Sequence, residues 1–149
     1  MSEHHTKIQW AREGEPFTYE KYPRGHRWRF GGGVELDASS APEYLGDSSL
    51  PNPEEALVIA LSSCHMLSFL AIAARKRLTV DSYEDDAVGH MEKNAEGRIA
   101  ITRVELRPRV RFSGAAPSAD DLRNLHDQAH HVCFIANSVK TEVTVTPTD

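Results

Sequence analysis

The sequence predicts an α+β fold in which antiparallel sheets surround one long apolar helix. Three observations predict it. Short alternating segments bounded by glycine and proline fill residues 6–50. A helical segment at 53–76 is apolar on nearly every side between Ala56 and Ala74, which is typical of a helix at the centre of a core. A second β region (78–112), a second helix (119–132) and a final strand (138–146) follow.

Composition limits the class of protein. The chain has 149 residues, with 40% hydrophobic and 26% charged residues, so we expect a single folded domain over 1–149. The net charge is −5 and the basic residues are scattered, which disfavours nucleic acid and anionic membranes as partners. The apolar region is interrupted by Ser62, Ser63 and His65, and no signal-peptide pattern precedes it. We therefore expect a soluble, cytoplasmic protein.

The first β region is expected to be an antiparallel meander. Residues 7–11 are β-like, and the aromatic alternation at 17–22 continues through 26–30. Three successive glycines at 31–33 predict a tight reversal before a strand at 34–38. Residues 39–51 are loop-like.

The long helix has a well-defined start. Asn52 is a suitable cap, Pro53 fits the first helical position, and Glu54 and Glu55 lie in the first turn, where the helix dipole favours acids. The cations at 75–77 mark its end.

The second half of the chain is expected to alternate strands and a helix. A strand is predicted at 85–92, a turn at 94–97, and a long alternating strand at 98–112, in which Pro108 implies a bend or an edge. Ser118 opens the second helix, and the last strand follows it.

Two cysteines are the candidates for chemistry. Cys64 lies in the middle of the long helix, and Cys133 lies at the end of the second helix. A lone cysteine in such a helix is most often a small buried hydrophobe. The polar neighbours of Cys64 and the presence of a second thiol favour a chemical role. The two thiols meet only if both helices pack on the same sheet.

Metal binding is an alternative. His126 and His130 have i, i+4 spacing, with His131 and Cys133 close in sequence and Cys64-His65 elsewhere. Zinc accepts such donors, but neither a CxxC nor an HExxH motif is present. We expect neither a metal nor another cofactor.

Arg24 and Glu54 form a second candidate set. Each has an ordinary interpretation, as a turn arginine and as a first-turn acid. Together they would make an arginine–carboxylate pair possible, which a buried guanidinium needs.

The order and spacing of three motifs resemble the OsmC/Ohr family of thiol peroxidases, in its OsmC-like subgroup. They are the Asn-Pro-Glu-Glu helix start, the Ser-Ser-Cys-His-Met stretch around Cys64, and Cys133 preceded by Ala-His-His-Val. The resemblance implies an OsmC-like fold and an intertwined homodimer with two long central helices packed back to back.

The resemblance also implies roles for individual residues. Cys64 would be the peroxidatic cysteine, Cys133 the resolving cysteine and Glu54 the glutamate of the motif. Arg24 would be the family arginine, with Arg27 and Arg29 as alternatives.

The implied reaction is a thiolate, sulfenic acid and disulfide cycle. Its substrates would be organic hydroperoxides, with inorganic peroxide as a second class, and an external dithiol of lipoyl type would reset it. The apolar side chains expected near the site are Trp28, Tyr44, Leu45 and Phe134.

The chain departs from the hydroperoxide-resistance subgroup in carrying Phe134, rather than proline, after the second cysteine, and it has His65 after the first. Two other functions stay open: an OsmC-like binding or redox-sensing protein with little peroxidase activity, and a Cys/His metal-binding protein.

Overall fold

The computed structural model describes Met1–Asp149. The chain folds into two compact units, Met1–Ala56 and Leu57–Asp149. It contains eight strands and two α-helices: β1 (Thr6–Gln9), β2 (His26–Phe30), β3 (Glu35–Ala38), α1 (Pro53–Arg75), β4 (Thr79–Asp85), β5 (Val88–Lys93), β6 (Ile99–Leu106), β7 (Pro108–Ser113), α2 (Ala119–Val132) and β8 (Glu142–Val145). Short 3₁₀ helices cover Pro42–Tyr44 and Ala136–Ser138.

The first unit contains the predicted antiparallel meander, in the order β1-β2-β3. Ile8 pairs with Trp28, and Trp28 with Leu36. The aromatic segment at 17–22 is not a strand. It turns instead, because the Thr18 carbonyl accepts hydrogen bonds from the amides of Lys21 and Tyr22.

The second unit contains one strand and one strand break that the sequence analysis did not predict. The strand predicted at 85–92 is β5, which begins three residues later, at Val88; Asp85 ends a separate strand, β4, which pairs with β7, whereas β5 pairs with β6. The strand predicted at 98–112 is interrupted at Arg107. The Asp85 side chain links the end of β4 to the break between β6 and β7 and to α1. Its Oδ1 accepts a hydrogen bond from the Arg107 amide at 2.6 Å, and its Oδ2 accepts one from the Ser62 hydroxyl of α1. Pro108, which has no amide proton to donate, begins β7.

The last strand is shorter than predicted and has a different orientation. Residues before Glu142 include a 3₁₀ turn, closed by the Ser138 amide on the Ile135 carbonyl. β8 pairs with β6 in parallel, whereas every other strand pair is antiparallel. The remaining pairs confirm the predicted antiparallel character.

Both helices confirm the predicted positions. α1 ends at Arg75, one residue before its predicted end, and begins with a reciprocal cap. Asn52 Oδ1 accepts the Glu55 amide at 2.9 Å, and Glu55 Oε2 accepts the Asn52 amide at 3.2 Å. α2 spans the predicted residues, and its Ser118 cap accepts the Asp121 amide.

The core of the second unit is built on one stripe of α1, four residues that recur every fourth position: Leu61, His65, Phe69 and Ala73. One apolar cluster joins Phe69 to α2 through Leu125 and Ala129. The other joins Leu61 to β6 through Val104 and Leu106. His65 lies on the stripe between the two clusters.

By length and composition alone α1 could cross a membrane, since its mean hydropathy reaches 2.1 over 18 residues. It is the core helix of the fold, however, as the buried stripe shows. A single apolar helix of this kind is weak evidence for a membrane span.

Candidate active site

The two thiols are brought together. Cys64 on α1 is half-buried, and Cys133, which caps the C-terminus of α2, is only 1% exposed. Both are free thiols, and Cys64 lies close enough to Cys133 to raise the pKa of that thiol. The helices therefore meet as the pairing of two cysteines 69 positions apart requires.

The surroundings of the two sulfurs differ. Burial raises the pKa of Cys133, and the adjacent Cys64 raises it further. The backbone amides of Ala136 and Ile135 act in the opposite direction without overcoming burial. Cys133 therefore keeps its proton, and Cys64 is the sulfur that a reagent can reach.

A pair of histidines joins the same two helices. His65 directly follows Cys64 on α1, and His126 lies on α2, seven residues before Cys133. His65 Nε2 and His126 Nδ1 share a hydrogen bond of 3.0 Å, and the rings are nearly parallel, at 7°. The two residues are 1% and 2% exposed. Phe69 stacks on the His126 ring at a centroid distance of 4.4 Å and fixes its orientation.

Burial is the main reason that the histidine pair is uncharged. It lowers the pKa of both His65 and His126 to about 4. The nearby His130 lowers the pKa of His65 further, and Asp85 partly opposes the shift. The outer ring atoms, His65 Nδ1 and His126 Nε2, have no hydrogen-bond partner.

Two neighbouring buried groups also lack partners, the Tyr83 hydroxyl and His130 Nδ1. Burial and the charge of Asp85 raise the pKa of Tyr83, so its phenol stays protonated. No three of the histidine, cysteine and acidic side chains are arranged as a metal site. Of the i, i+4 histidines, His126 bonds through Nδ1 to His65 across the helix interface.

Arg24 belongs to the first unit and is held by its own segment. Its guanidinium donates to the carbonyls of Tyr22 at 2.6 Å and Tyr19 at 2.5 Å, and it lies 3.7 Å from the centre of the Tyr22 ring. Its Nε is buried without a partner. Arg27 and Arg29, the alternatives, are paired on the sheet surface with carboxylates of β3.

Glu54 does not form the expected ion pair within the first unit. Its Oε2 is buried without a hydrogen-bond partner, and none of the Arg24 donors reaches it. The pair predicted from the sequence is thus absent from this conformation, although each member keeps one unsatisfied buried atom.

A cleft of about 500 Å³ adjoins Arg24 in the first unit. Its walls are mainly apolar and aromatic: Trp10, Phe17, Tyr22, Pro23, Arg24, His26, Ser39, Ser40 and Pro53. None of the four predicted pocket residues is among them. Trp28 donates to His26 Nε2 at 2.8 Å, and Tyr44, Leu45 and Phe134 are exposed. Their substrate-binding role stays a prediction.

Comparison with known proteins identifies the family. A model of the OsmC-like protein family matches residues 46–148, most of the chain. The chain belongs to the OsmC-like family. A search of curated proteins found no match.

Solved structures of OsmC-like proteins resemble this one over the whole chain. An OsmC-like protein of unknown function from Vibrio cholerae O1 is 47% identical, with a TM-score of 0.95 over 99% of this chain and 100% of its own. The organic hydroperoxide resistance protein OsmC of Legionella pneumophila is 14% identical, with a TM-score of 0.77 over 100% and 98% of the two chains. The organic hydroperoxide resistance protein OhrB of Bacillus subtilis, also 14% identical, has a TM-score of 0.69 over 99% and 98%. The latter two likenesses show the fold.

The histidine pair of this OsmC-like protein was not predicted from the sequence. A signal for it was present, since His65 lies four residues after Leu61 and four before Phe69 on the buried stripe. His126 similarly follows Leu125 and precedes Ala129 by three residues. A histidine at such a position needs a buried partner, and the other helix supplies it.

Proposed function

We propose that this OsmC-family protein is a thiol-dependent peroxidase that reduces organic hydroperoxides and, as a second class, inorganic peroxide. The observation that carries the proposal is the contact between an accessible thiol, Cys64, and a buried one, Cys133. A thiol that oxidises beside a second thiol has an immediate route to a disulfide. The named hydroperoxide resistance proteins that share the fold support the substrate class.

The proposed reaction has two steps. The Cys64 thiolate attacks one peroxide oxygen, the O–O bond breaks, and the alkoxide takes up a proton to leave as an alcohol. The Cys133 thiol then attacks the Cys64 sulfenic acid, which forms the S–S bond and releases water. Two thiols are thus oxidised and one hydroperoxide is reduced.

An external dithiol resets the pair by exchange, and its own two thiols become a disulfide. A lipoyl-type dithiol is the proposed reductant. The proposed cycle needs a compartment in which such a dithiol is kept reduced, for which we propose the cytoplasm, and no nucleic acid or membrane is invoked.

Arg24 and Glu54 are proposed to act together. A guanidinium beside the thiolate would favour its ionised form and stabilise charge that develops on the leaving oxygen. Glu54 would orient the guanidinium through charge-assisted hydrogen bonds. The unsatisfied Arg24 Nε and Glu54 Oε2 support this role, because each is a buried polar atom that still needs a partner.

A homodimer is also proposed. Ile59 and Leu67 on α1 are 69% and 61% exposed. Two large apolar side chains eight residues apart lie on one face of a helix, and an exposed apolar face is a feature of interaction sites in soluble proteins. Light scattering during size-exclusion chromatography is expected to give twice the chain mass, and Leu67→Glu is expected to shift it toward the monomer. A native protein that elutes as a monomer would exclude the dimer.

The activity is tested by following cumene hydroperoxide consumption with dihydrolipoamide as reductant, and hydrogen peroxide in parallel. We expect turnover by the native protein and none by Cys64→Ser. The control is Ser63→Ala, which changes the exposed residue next to Cys64 and should keep native turnover. Peroxide treatment of the native protein should give a Cys64–Cys133 disulfide in peptide mass spectra. Absence of both turnover and disulfide would favour the binding-protein alternative.

The role of Arg24 is tested by the pH dependence of Cys64 alkylation. Arg24→Ala is expected to move the profile to higher pH, whereas Arg27→Ala, at a surface ion pair, should leave it unchanged. If Arg24→Ala and the native protein show the same pH dependence of Cys64 alkylation, Arg24 has no role at the site.

A further inference from the structure

The hydrogen bond between His65 and His126 is a polar, directional link between α1 and α2 inside an apolar core. Interdigitated apolar side chains restrict the register of packed helices, and a hydrogen bond adds a directional restraint to that packing. The bond of 3.0 Å, with rings 7° from parallel, restrains both the rotation and the height of one helix relative to the other.

The same two helices carry the two thiols. His65 directly follows Cys64 on α1, and His126 precedes Cys133 by seven residues, about two turns of α2. A shift of one helix against the other would therefore move the sulfurs apart. Disulfide formation tolerates little movement, since the two Cβ atoms must lie about 3.5–4.5 Å apart.

The histidines are poorly suited to acid–base chemistry on the thiols. Each ring uses one nitrogen in the shared bond, and burial keeps both rings neutral near pH 7 because it lowers each pKa to about 4. A neutral imidazole gives no positive charge to stabilise a thiolate. The role left for the histidine pair is to position the two helices that carry the thiols.

We propose that the His65–His126 hydrogen bond is a positioning clamp that holds Cys64 and Cys133 within bonding reach and thereby sets the rate and equilibrium of disulfide formation. Its effect on peroxide turnover depends on the peroxidase function proposed above. Its effect on the thiol pair itself does not.

The first test removes both partners in His65→Leu/His126→Leu. Replacing both members of a buried hydrogen bond with apolar groups is nearly neutral for stability, so the melting temperature should stay close to native. Cys64 should still react with peroxide at the native rate. Conversion of its sulfenic acid to the disulfide should slow at least about tenfold, because an ångström of misplacement costs up to about a hundredfold. More Cys64 should then reach the sulfinic acid.

A second test uses two amides of different reach, which keeps the proposal testable if the leucine variant does not fold. Glutamine places its amide where His65 has Nε2, so His65→Gln should keep the bond to His126 and nearly native disulfide formation. Asparagine is one methylene shorter and cannot reach, so His65→Asn should show the defect. His131→Asn, at an exposed position on α2, is the control and should behave as native.

A third measurement separates the clamp from the peroxidase. In a glutathione redox buffer, the protein dithiol and glutathione disulfide exchange to give the protein disulfide and two glutathione thiols. We expect the equilibrium constant to fall at least about tenfold in His65→Leu/His126→Leu and His65→Asn, equivalent to about 30 mV. This readout needs no peroxide.

The outcomes are distinguishable. Native peroxide turnover together with unchanged rates and equilibrium constants in these variants would overturn the clamp alone. If the native protein shows no peroxidase activity but the variants have a lower equilibrium constant for glutathione exchange, the clamp is supported and the proposed function is refuted.

Discussion

Acid should destabilise the protein through its buried histidines, in a pH window set by their pKa values. In the unfolded chain each histidine has a pKa near 6.5, and burial in the folded state lowers it to about 4 for His65 and His126. Between these values the unfolded chain binds protons that the folded protein does not. The free energy of unfolding therefore falls as the pH decreases from 6.5 to 4, and it is fully maintained above 6.5.

The magnitude follows from the difference between the unfolded pKa of 6.5 and the folded pKa of about 4, which is about 2.5 pKa units for each ring. At about 1.4 kcal/mol for each pKa unit, one histidine contributes about 3 kcal/mol. The two rings share one hydrogen bond, so their joint contribution lies between about 3 and 6 kcal/mol. Such a loss is a large fraction of the roughly 5–15 kcal/mol that stabilises a typical domain.

Urea unfolding at a series of pH values between 7 and 4.5 measures the effect. The native protein should lose most of this free energy across the series, and His65→Leu/His126→Leu should lose much less. The Glu105 carboxyl, whose pKa is lowered mainly by its hydrogen bond from Arg107, should lose its contribution only as the pH falls below about 4.5. Equal slopes for the native and double-leucine proteins between pH 6.5 and 4.5 would refute the argument.

Three further predictions concern other parts of the fold. Cys133→Ser should allow one peroxide turnover and then over-oxidation of the remaining cysteine, seen as a mass increase of two oxygens; over-oxidation no faster than in the native protein, with native turnover, would contradict the resolving role. Asp85→Ala removes the acceptor at both strand junctions and should cost about 3 kcal/mol in urea unfolding, whereas Glu84→Ala, at an exposed pair, should cost less than about 1 kcal/mol. Gly46→Ala would place a Cβ 1.6 Å from a backbone oxygen and should lower the melting temperature, whereas Gly32→Ala, in open space, should not.

The helices were predictable because their signals are local. The Asn52 cap, the acids after Pro53 and the serine before α2 act within one helical turn, and the structure places both helices as predicted. The pairing of Cys64 with Cys133 was anticipated only as a consequence of family resemblance and of two helices that meet.

The strand breaks were not predictable from alternation. Residues 98–112 keep one alternating pattern, yet the chain changes sheet at Arg107, because a carboxylate 22 residues earlier in sequence holds its amide. The histidine pair depends similarly on a contact between residues 61 positions apart. Periodicity reports which face of a segment is buried and is silent about the partner that covers it.

The burial of Cys133 has a consequence for how the oxidised protein would be recycled. A thiol from solution meets the half-exposed Cys64 sulfur, so the mixed disulfide forms there and Cys133 departs. A leaving thiol with a raised pKa departs slowly. A monothiol at Cys64 would then be expelled again by Cys133 before a second molecule arrived. A reagent with two linked sulfurs completes the exchange within one encounter, which is the physical ground for expecting selectivity toward dithiols.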